Sequence, residues 1–157
     1  MSLNDAIQLH QTRSYENRVY ALKIFKELKN NYWIGYYYEQ GYGGLNIDIE
    51  KAKKYYQIAS FEENSDAIYR LAVNIINYFN VNDSDEEKKI NNMYSTVLLK
   101  KSAELGHIDA AYYYGDILLN GKLDNEINTS VAYIYLSFAA SRSHIKAISL
   151  LENSYHC

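Results

Sequence analysis

Residues 31–44 read NYWIGYYYEQGYGG, and the meaning of this stretch decides how the rest of the chain is interpreted. It holds six aromatic residues and four glycines, with no Lys or Arg. A phosphate-binding loop needs a glycine-rich turn that leads from a strand into a helix, with Lys and Ser or Thr behind it. GYGG at 41–44 lacks these residues. An aromatic membrane belt and one unit of a repeat therefore remain as interpretations.

The stretch recurs 80 residues further along the chain. Equivalent pairs keep this offset, namely Gly35 and Gly115, Gly41 and Gly121, Ala52 and Ala132, Tyr55 and Tyr135, Ala59 and Ala139, and Ala67 and Ala147. Another copy lies between these two, aligned on Ala67 and Ala110 at an offset of 43. The sequence therefore predicts three repeats, 30–66, 67–109 and 110–146, with partial units at 1–29 and 147–157.

Each repeat has the pattern of two helices. In the first helix, small or apolar residues recur at unit positions 1, 5, 6, 9 and 12, which fall within one arc of about 140°. In the second, exemplified by IEKAKKYYQIAS at 49–60, apolar residues recur with helical spacing. The partial unit at 1–29 is expected to contain a second helix at 16–29, and residues 145–153 resemble a first helix.

Three pairs of equivalent residues have predicted structural roles. Gly35 and Gly115 lie on the buried arc, where the absence of a side chain lets two helices approach closely. Two further glycines, Gly41 and Gly121, are placed to end the first helix in a left-handed conformation. Asp48 and Asn128 are predicted to cap the second helix.

The combined pattern resembles a known family. IGYYYEQGYGGLNIDIEKAKKYYQIAS at 34–60 is similar to the Sel1-like repeat, a relative of the tetratricopeptide repeat, as are AAYYYGDILLNG at 110–121 and VAYIYLSFAA at 131–140. The middle repeat departs from the motif, with Ala72 in place of the expected Gly. The resemblance implies an all-α protein, a right-handed α-solenoid of antiparallel helix pairs, that forms a single domain over 1–157.

Charge and hydropathy exclude several classes of function. The net charge is -3 and the Lys residues are scattered among Glu and Asp, which argues against a nucleic-acid partner. No segment reaches the roughly 18 apolar residues of a spanning helix, so we expect no membrane insertion. The single Cys157 allows no internal disulfide and is typical of a reducing compartment. We therefore expect a cytoplasmic protein.

The sequence offers no convincing catalytic, metal or cofactor site. The acidic tract DSDEEKK at 83–89 does not follow the spacing of an EF-hand, and we interpret it as a solvated loop or helix start within an inserted loop, 80–92. None of the histidines His10, His107, His144 and His156 has another ligand at helical spacing. His107 and His144 are 37 residues apart and are best explained as repeat equivalents. Cys157 is not expected to be a nucleophile.

The remaining candidate is a surface for a protein or peptide partner. Positions 3, 4 and 7 of the first helices face away from the buried arc and carry Tyr32, Tyr69 and Tyr112, then Trp33, Arg70 and Tyr113, then Tyr36 and Asp116. The resemblance places first helices on the concave face of the solenoid, and aromatic and Arg residues are typical of binding hot spots. Packing against the next unit is an alternative role for all three positions, and it is favoured for the position-3 tyrosines.

The sequence thus predicts a non-enzymatic interaction module, an adaptor or scaffold that binds a peptide or a partner's helix on this surface without a small-molecule cofactor. One alternative, implied by the resemblance, is a regulatory subunit that activates or positions an enzyme. A second alternative is a hydrolase, for which the chain lacks paired cysteines and an acid–base constellation.

Overall fold

The structure, a computed structural model, describes residues 1–78 and 83–154. Within these ranges the chain forms nine α-helices and no strand, as the all-α prediction requires. In chain order they are α1 Leu3–Gln11, α2 Tyr15–Glu27, α3 Asn31–Gln40, α4 Ile49–Phe61, α5 Ser65–Tyr78, α6 Asp85–Glu104, α7 Ile108–Asn120, α8 Thr129–Ser141 and α9 Ile145–Ser154. None of these nine is long and apolar enough to cross a membrane.

The chain divides into two compact units, which we call unit 1, Met1–Ala67, and unit 2, which begins at Ile68. In unit 1, α1 packs on α2, α2 on α3 and α3 on α4. In unit 2, α6 packs on α7, α7 on α8 and α8 on α9. The predicted helix pairs of the first and third repeats are therefore α3 with α4 and α7 with α8. The single domain over 1–157 stays a prediction.

Two glycines set the distance between the helices of these pairs. A Cβ atom added to Gly115 would lie 2.7 Å from Leu136 Cγ, and one added to Gly35 would lie 2.9 Å from Tyr56 Cε1. In both pairs a backbone oxygen of the second helix lies 3.2 Å from the same point. The prediction of close helix approach at these two positions is confirmed.

The ends of the paired helices also follow the sequence. Gly41 and Gly121 follow α3 and α7 with φ of 67° and 63°, in the left-handed region where a Cβ atom is strained. Asp48 and Asn128 are the N-caps of α4 and α8, and their side chains accept a hydrogen bond from the backbone N–H three residues on at 2.9 and 3.1 Å. Both sets of predicted roles are confirmed.

A second kind of turn recurs where one helix ends and the next begins. Within the described residues, the residue before the N-cap has a positive φ at five such turns, at Arg13, Lys29, Glu63, Gly106 and Ser143. At four of these turns the following backbone N–H donates to the carbonyl five residues earlier, as from Asn64 to Ala59 at 3.2 Å and from His144 to Ala139 at 3.1 Å. This is the bonding of a Schellman motif, built here mostly without glycine.

From Asp85 onward the acidic tract is part of a helix rather than of an inserted loop. Helix α6 has 20 residues, whereas α4 and α8 have 13, so the inserted residues lengthen the helix at its start. Ser84 and Glu87 form a capping box, in which the Ser84 N–H donates to Glu87 Oε2 at 2.8 Å and the Glu87 N–H to Ser84 Oγ at 3.3 Å. The interpretation as a helix start is confirmed, and the loop interpretation is wrong for 85–92.

Several sequence predictions fall on residues outside the described ranges. They concern 80–82 of the predicted loop, and His156 and Cys157 near the end of the chain. These remain predictions from the sequence.

Candidate functional site

A cleft in unit 2 brings together several of the predicted surface residues. It has a volume of about 400 Å³ and lies among α5, α7 and the start of α9. Most of the side chains that line it are aromatic or charged, namely Tyr69, Asp109, Tyr112, Tyr113, His144 and Lys146, and Ser143 and Ile145 complete the lining. The three tyrosines were predicted from the repeat pattern. Asp109, His144 and Lys146 were not predicted as site residues.

Two tyrosines of the cleft stack on histidines that lie near the end of the same repeat and cap the first helix of the next. The Tyr69 and His107 rings lie 4.3 Å apart between centroids with an interplanar angle of 25°, and the Tyr112 and His144 rings lie 4.5 Å apart at 23°. Each pair joins position 3 of one first helix to the N-terminal cap of the next. The packing alternative therefore holds for these two tyrosines, which line the cleft as well.

The imidazole of His144 is fully engaged within unit 2. Its Nδ1 accepts a hydrogen bond from the Ala147 N–H at 3.1 Å, which caps α9, and its Nε2 lies 3.3 Å from Asp109 Oδ1. This geometry selects the tautomer in which Nε2–H donates to the carboxylate. Because neither nitrogen keeps a free lone pair, His144 is unsuited to act as a general base here.

Burial shifts the ionisation of the tyrosine hydroxyls. It raises the pKa of Tyr69 to about 12, with further increases from Tyr113 and Asp109 and an opposing effect of Arg70. Burial and then the carboxylate of Asp116 raise the pKa of Tyr112 as well. The hydroxyls of Tyr69 and Tyr112 are therefore neutral hydrogen-bonding groups through the physiological pH range.

The two charged residues of the predicted surface, Asp116 and Arg70, lie outside the cleft. Asp116 is largely buried and bonds locally, because its carboxylate accepts from Lys122 Nζ at 2.6 Å and from Asn120 Nδ2 at 2.7 Å. It thereby ties the end of α7 to the following loop. Arg70 is half-buried on α5 next to Tyr69. Neither Asp116 nor Arg70 is among the described residues that line the cleft.

In unit 1 the predicted surface residues form an aromatic cluster. Trp33 stacks on Phe25 of α2 with centroids 5.0 Å apart and an interplanar angle of 3°. Tyr32 and Tyr36 contact Trp33 at 5.4 and 5.6 Å. Position 4 was predicted to lie opposite the buried arc, with packing as the alternative. Trp33 takes the packing role, because α2 supplies Phe25 and α1 supplies His10 at 5.0 Å.

Helix α1 places the side chain of His10 within the aromatic cluster of unit 1. Its ring lies between 5.0 and 5.8 Å from four aromatic rings of unit 1, namely Trp33, Tyr36, Tyr37 and Tyr42. The Nδ1 atom is 3.1 Å from the Tyr37 hydroxyl. Burial, and then the positive charge of Arg18, lower the pKa of His10. The histidine is therefore a neutral packing residue at neutral pH.

Comparisons with known proteins agree with this architecture. The repeated helix pairs, with their close-packing glycines, place the chain among the all-α helical-repeat solenoids. The sequence profile of the Sel1 repeat matches residues 31–60, 65–107 and 108–144. The chain belongs to the Sel1 repeat family. Sel1 repeats generally mediate protein–protein interactions, and the family is typically non-catalytic.

Two solved structures share the fold. A Sel1 repeat protein from Oxalobacter formigenes is 21% identical, with a TM-score of 0.74 over 93% of this chain and 57% of its own. The protein c5321, a protective antigen present in uropathogenic Escherichia coli strains that displays an SLR fold, is 20% identical, with a TM-score of 0.70 over 92% of this chain and 31% of its own. The chain thus spans little more than half of one relative and about a third of the other. No curated protein sequence matches it.

Proposed function

We propose that the chain is a non-enzymatic interaction module, an adaptor or scaffold, that binds a peptide or a partner's helix in the cleft of unit 2. One observation carries the proposal: Tyr69 and Tyr112, which occupy equivalent positions of two repeats, and the adjacent Tyr113 line a single cleft of about 400 Å³. The family's general role in protein–protein interaction supports the same conclusion.

The chemistry of the cleft suits the docking of a side chain or two from a partner. Tyrosine offers a large rigid surface with a hydroxyl that can donate or accept, which is why it is frequent among binding hot spots. Tyr113 leaves 39% of its surface exposed in the free protein. Asp109 and Lys146 supply one charge of each sign at the same cleft, so a partner with a polar side chain beside an apolar one is favoured.

The proposal is limited to unit 2. Tyr32, Trp33 and Tyr36 pack in the aromatic cluster of unit 1, and Asp116 bonds to its own loop. We therefore assign no partner contact to these residues, nor to Arg70, which does not line the cleft.

A peptide-display selection on the immobilised protein, followed by titration calorimetry of the selected peptides, tests this proposal. We expect Tyr113→Ala to weaken a selected peptide by about 2 kcal/mol, roughly 30-fold in Kd, as for a central hot spot. Tyr20→Ala is the matched control, because Tyr20 is a comparably exposed tyrosine on α2. Peptides that bind the Tyr113→Ala protein as well as the original would contradict the assignment of the cleft.

A further inference from the structure

Helix α6 carries an apolar stripe that faces solvent. Ile90, Met93, Tyr94 and Val97 are between 44% and 62% exposed. Their spacing of i, i+3, i+4 and i+7 places all four on one face of the helix. A row of four large apolar side chains on one exposed face is more than the scattered single residues that are usual on protein surfaces.

The rest of unit 2 fixes this face outward. Ser95, Leu99 and Ser102 on the opposite side of α6 are completely buried. The loop after α7 is bonded to the flank of the helix, where Asn125 Nδ2 donates to Thr96 Oγ1 at 3.0 Å. Helix α6 therefore cannot turn its stripe inward without breaking its own core.

We propose that a second copy of this chain covers the stripe, through antiparallel pairing of the two α6 helices about a two-fold axis between Met93 and Tyr94. In this register Ile90 lies opposite Val97 of the second copy, and Met93 lies opposite Tyr94 of the second copy. The stripe is thus complementary to itself, which is the requirement of a two-fold interface.

Charge selects the antiparallel direction. Glu86 extends the stripe one turn before Ile90, and Lys101 extends it one turn after Val97. Both side chains are exposed. Antiparallel pairing places Glu86 opposite Lys101 of the second copy, twice in the dimer. Parallel pairing would instead oppose like charges at both ends of the helix, at a cost in stability.

The size of the interface predicts a weak dimer. A helix of 20 residues is about 30 Å long, and its contact with an identical helix falls below the roughly 1,200 Å² of a stable complex. We therefore expect a dimer that dissociates on dilution. None of the stripe residues lines the cleft, so this inference is independent of the proposed function.

Sedimentation velocity over a range from micromolar to about 1 mM tests the pairing. We expect the protein to shift from monomer towards dimer over this range, and Val97→Glu to stay monomeric with unchanged helix content. Ile134→Glu is the matched control, because Ile134 is 66% exposed on α8 and lies outside the stripe. A protein that stays monomeric at every concentration, or a control that dissociates equally, overturns the proposal.

A charge exchange tests the register. Glu86→Lys and Lys101→Glu should each weaken self-association at least about tenfold, because each opposes like charges at both ends of the dimer. An equimolar mixture of the two variants should associate again, since every pair in the mixed dimer is then of opposite charge. The double variant should likewise recover. Failure of both the mixture and the double variant to recover overturns the antiparallel register.

Discussion

Gly115 determines how closely α7 approaches α8, since there is no room for even a methyl group at this position. A Cβ atom would lie 2.7 Å from Leu136 Cγ, closer than carbon atoms approach without displacement. Helix propensity alone would favour Ala over Gly by about 1 kcal/mol. We nevertheless expect Gly115→Ala to lower the free energy of unfolding by about 1 kcal/mol, and Gly115→Leu by about 3 kcal/mol or more.

Urea denaturation followed by circular dichroism measures these changes. Ser137→Ala is the control, because Ser137 is an exposed residue within α8 and its replacement should change stability little. If Gly115→Ala is more stable than the original protein, the helices are not in contact at this position.

Tyr69 gives a prediction for alkaline pH. The pKa of its hydroxyl is raised to about 12 by burial, from an ordinary value of 10, so the folded state holds the proton more tightly than the unfolded chain does. Its contribution to stability is therefore complete below pH 10 and is lost as the pH rises to about 12. We expect the free energy of unfolding to fall over this window, and to fall less steeply in Tyr69→Phe.

The matched control for this titration is Tyr78→Phe, because Tyr78 is exposed at the end of α5. Urea denaturation at several pH values gives the slope, and its decrease in Tyr69→Phe identifies the hydroxyl that causes it. Equal slopes for Tyr69→Phe and the original protein would show that burial does not hold this proton.

At the scale of the helices, the turns before the N-caps place non-glycine residues in the left-handed backbone conformation that favours glycine. Glu63 has a φ of 57° between α4 and the N-cap of α5. A left-handed conformation costs a residue with a side chain about 1 kcal/mol more than it costs glycine. We expect Glu63→Gly to raise the free energy of unfolding by about this amount, measured by thermal or urea denaturation.

The neighbouring Glu62 supplies a control of the same residue type. Its φ is −84°, where glycine has no advantage and loses more backbone entropy on folding. Glu62→Gly should therefore be destabilising, and it also removes the hydrogen bond from Asn31 Nδ2. A stabilising effect of both substitutions would mean that the left-handed turn is not the cause.

Periodicity predicted the elements that repeat, because a buried arc leaves the same spacing in every copy. The pairs α3 with α4 and α7 with α8, their caps and their glycines were found in this way. Helix α1 belongs to a partial unit without a clear pattern, and only the S-x-x-D sequence of its capping box, Ser2 to Asp5, signals its start. The left-handed turns escaped prediction because Lys29, Glu63 and Ser143 have no glycine signature.

In the site too, the residues that repeat were predicted and the residues that do not repeat were missed. Tyr69 and Tyr112 share one unit position and Tyr113 occupies the next, so an alignment of the repeats shows them together. The contact of Asp109 with His144 joins residues 35 positions apart and depends on how α9 begins relative to α7. No local sequence pattern predicts that these two side chains meet. Conversely, Trp33 has the sequence position of a surface residue but packs on Phe25, which precedes the aligned repeats.

At the scale of the whole molecule, the division into two compact units bears on how the chain unfolds. Repeat proteins are stabilised mainly by contacts within a repeat and with its neighbours, so distant repeats can lose structure separately. Trp33 is the single tryptophan of the chain and packs within unit 1, so its fluorescence reports that unit. Circular dichroism reports the helices of both units.

We expect Gly115→Ala to separate these two signals. Helix content should begin to fall at a lower urea concentration than in the original protein, while the Trp33 transition keeps its midpoint, because the atoms nearest to an added Cβ at Gly115 belong to α8 of the same unit. Gly35→Ala is the matched variant in unit 1 and should move the Trp33 transition first, since its added Cβ atom would lie 2.9 Å from Tyr56. If both variants instead shift the two signals together and by equal amounts, the chain unfolds as one cooperative unit, and the single domain predicted from the sequence is the better description.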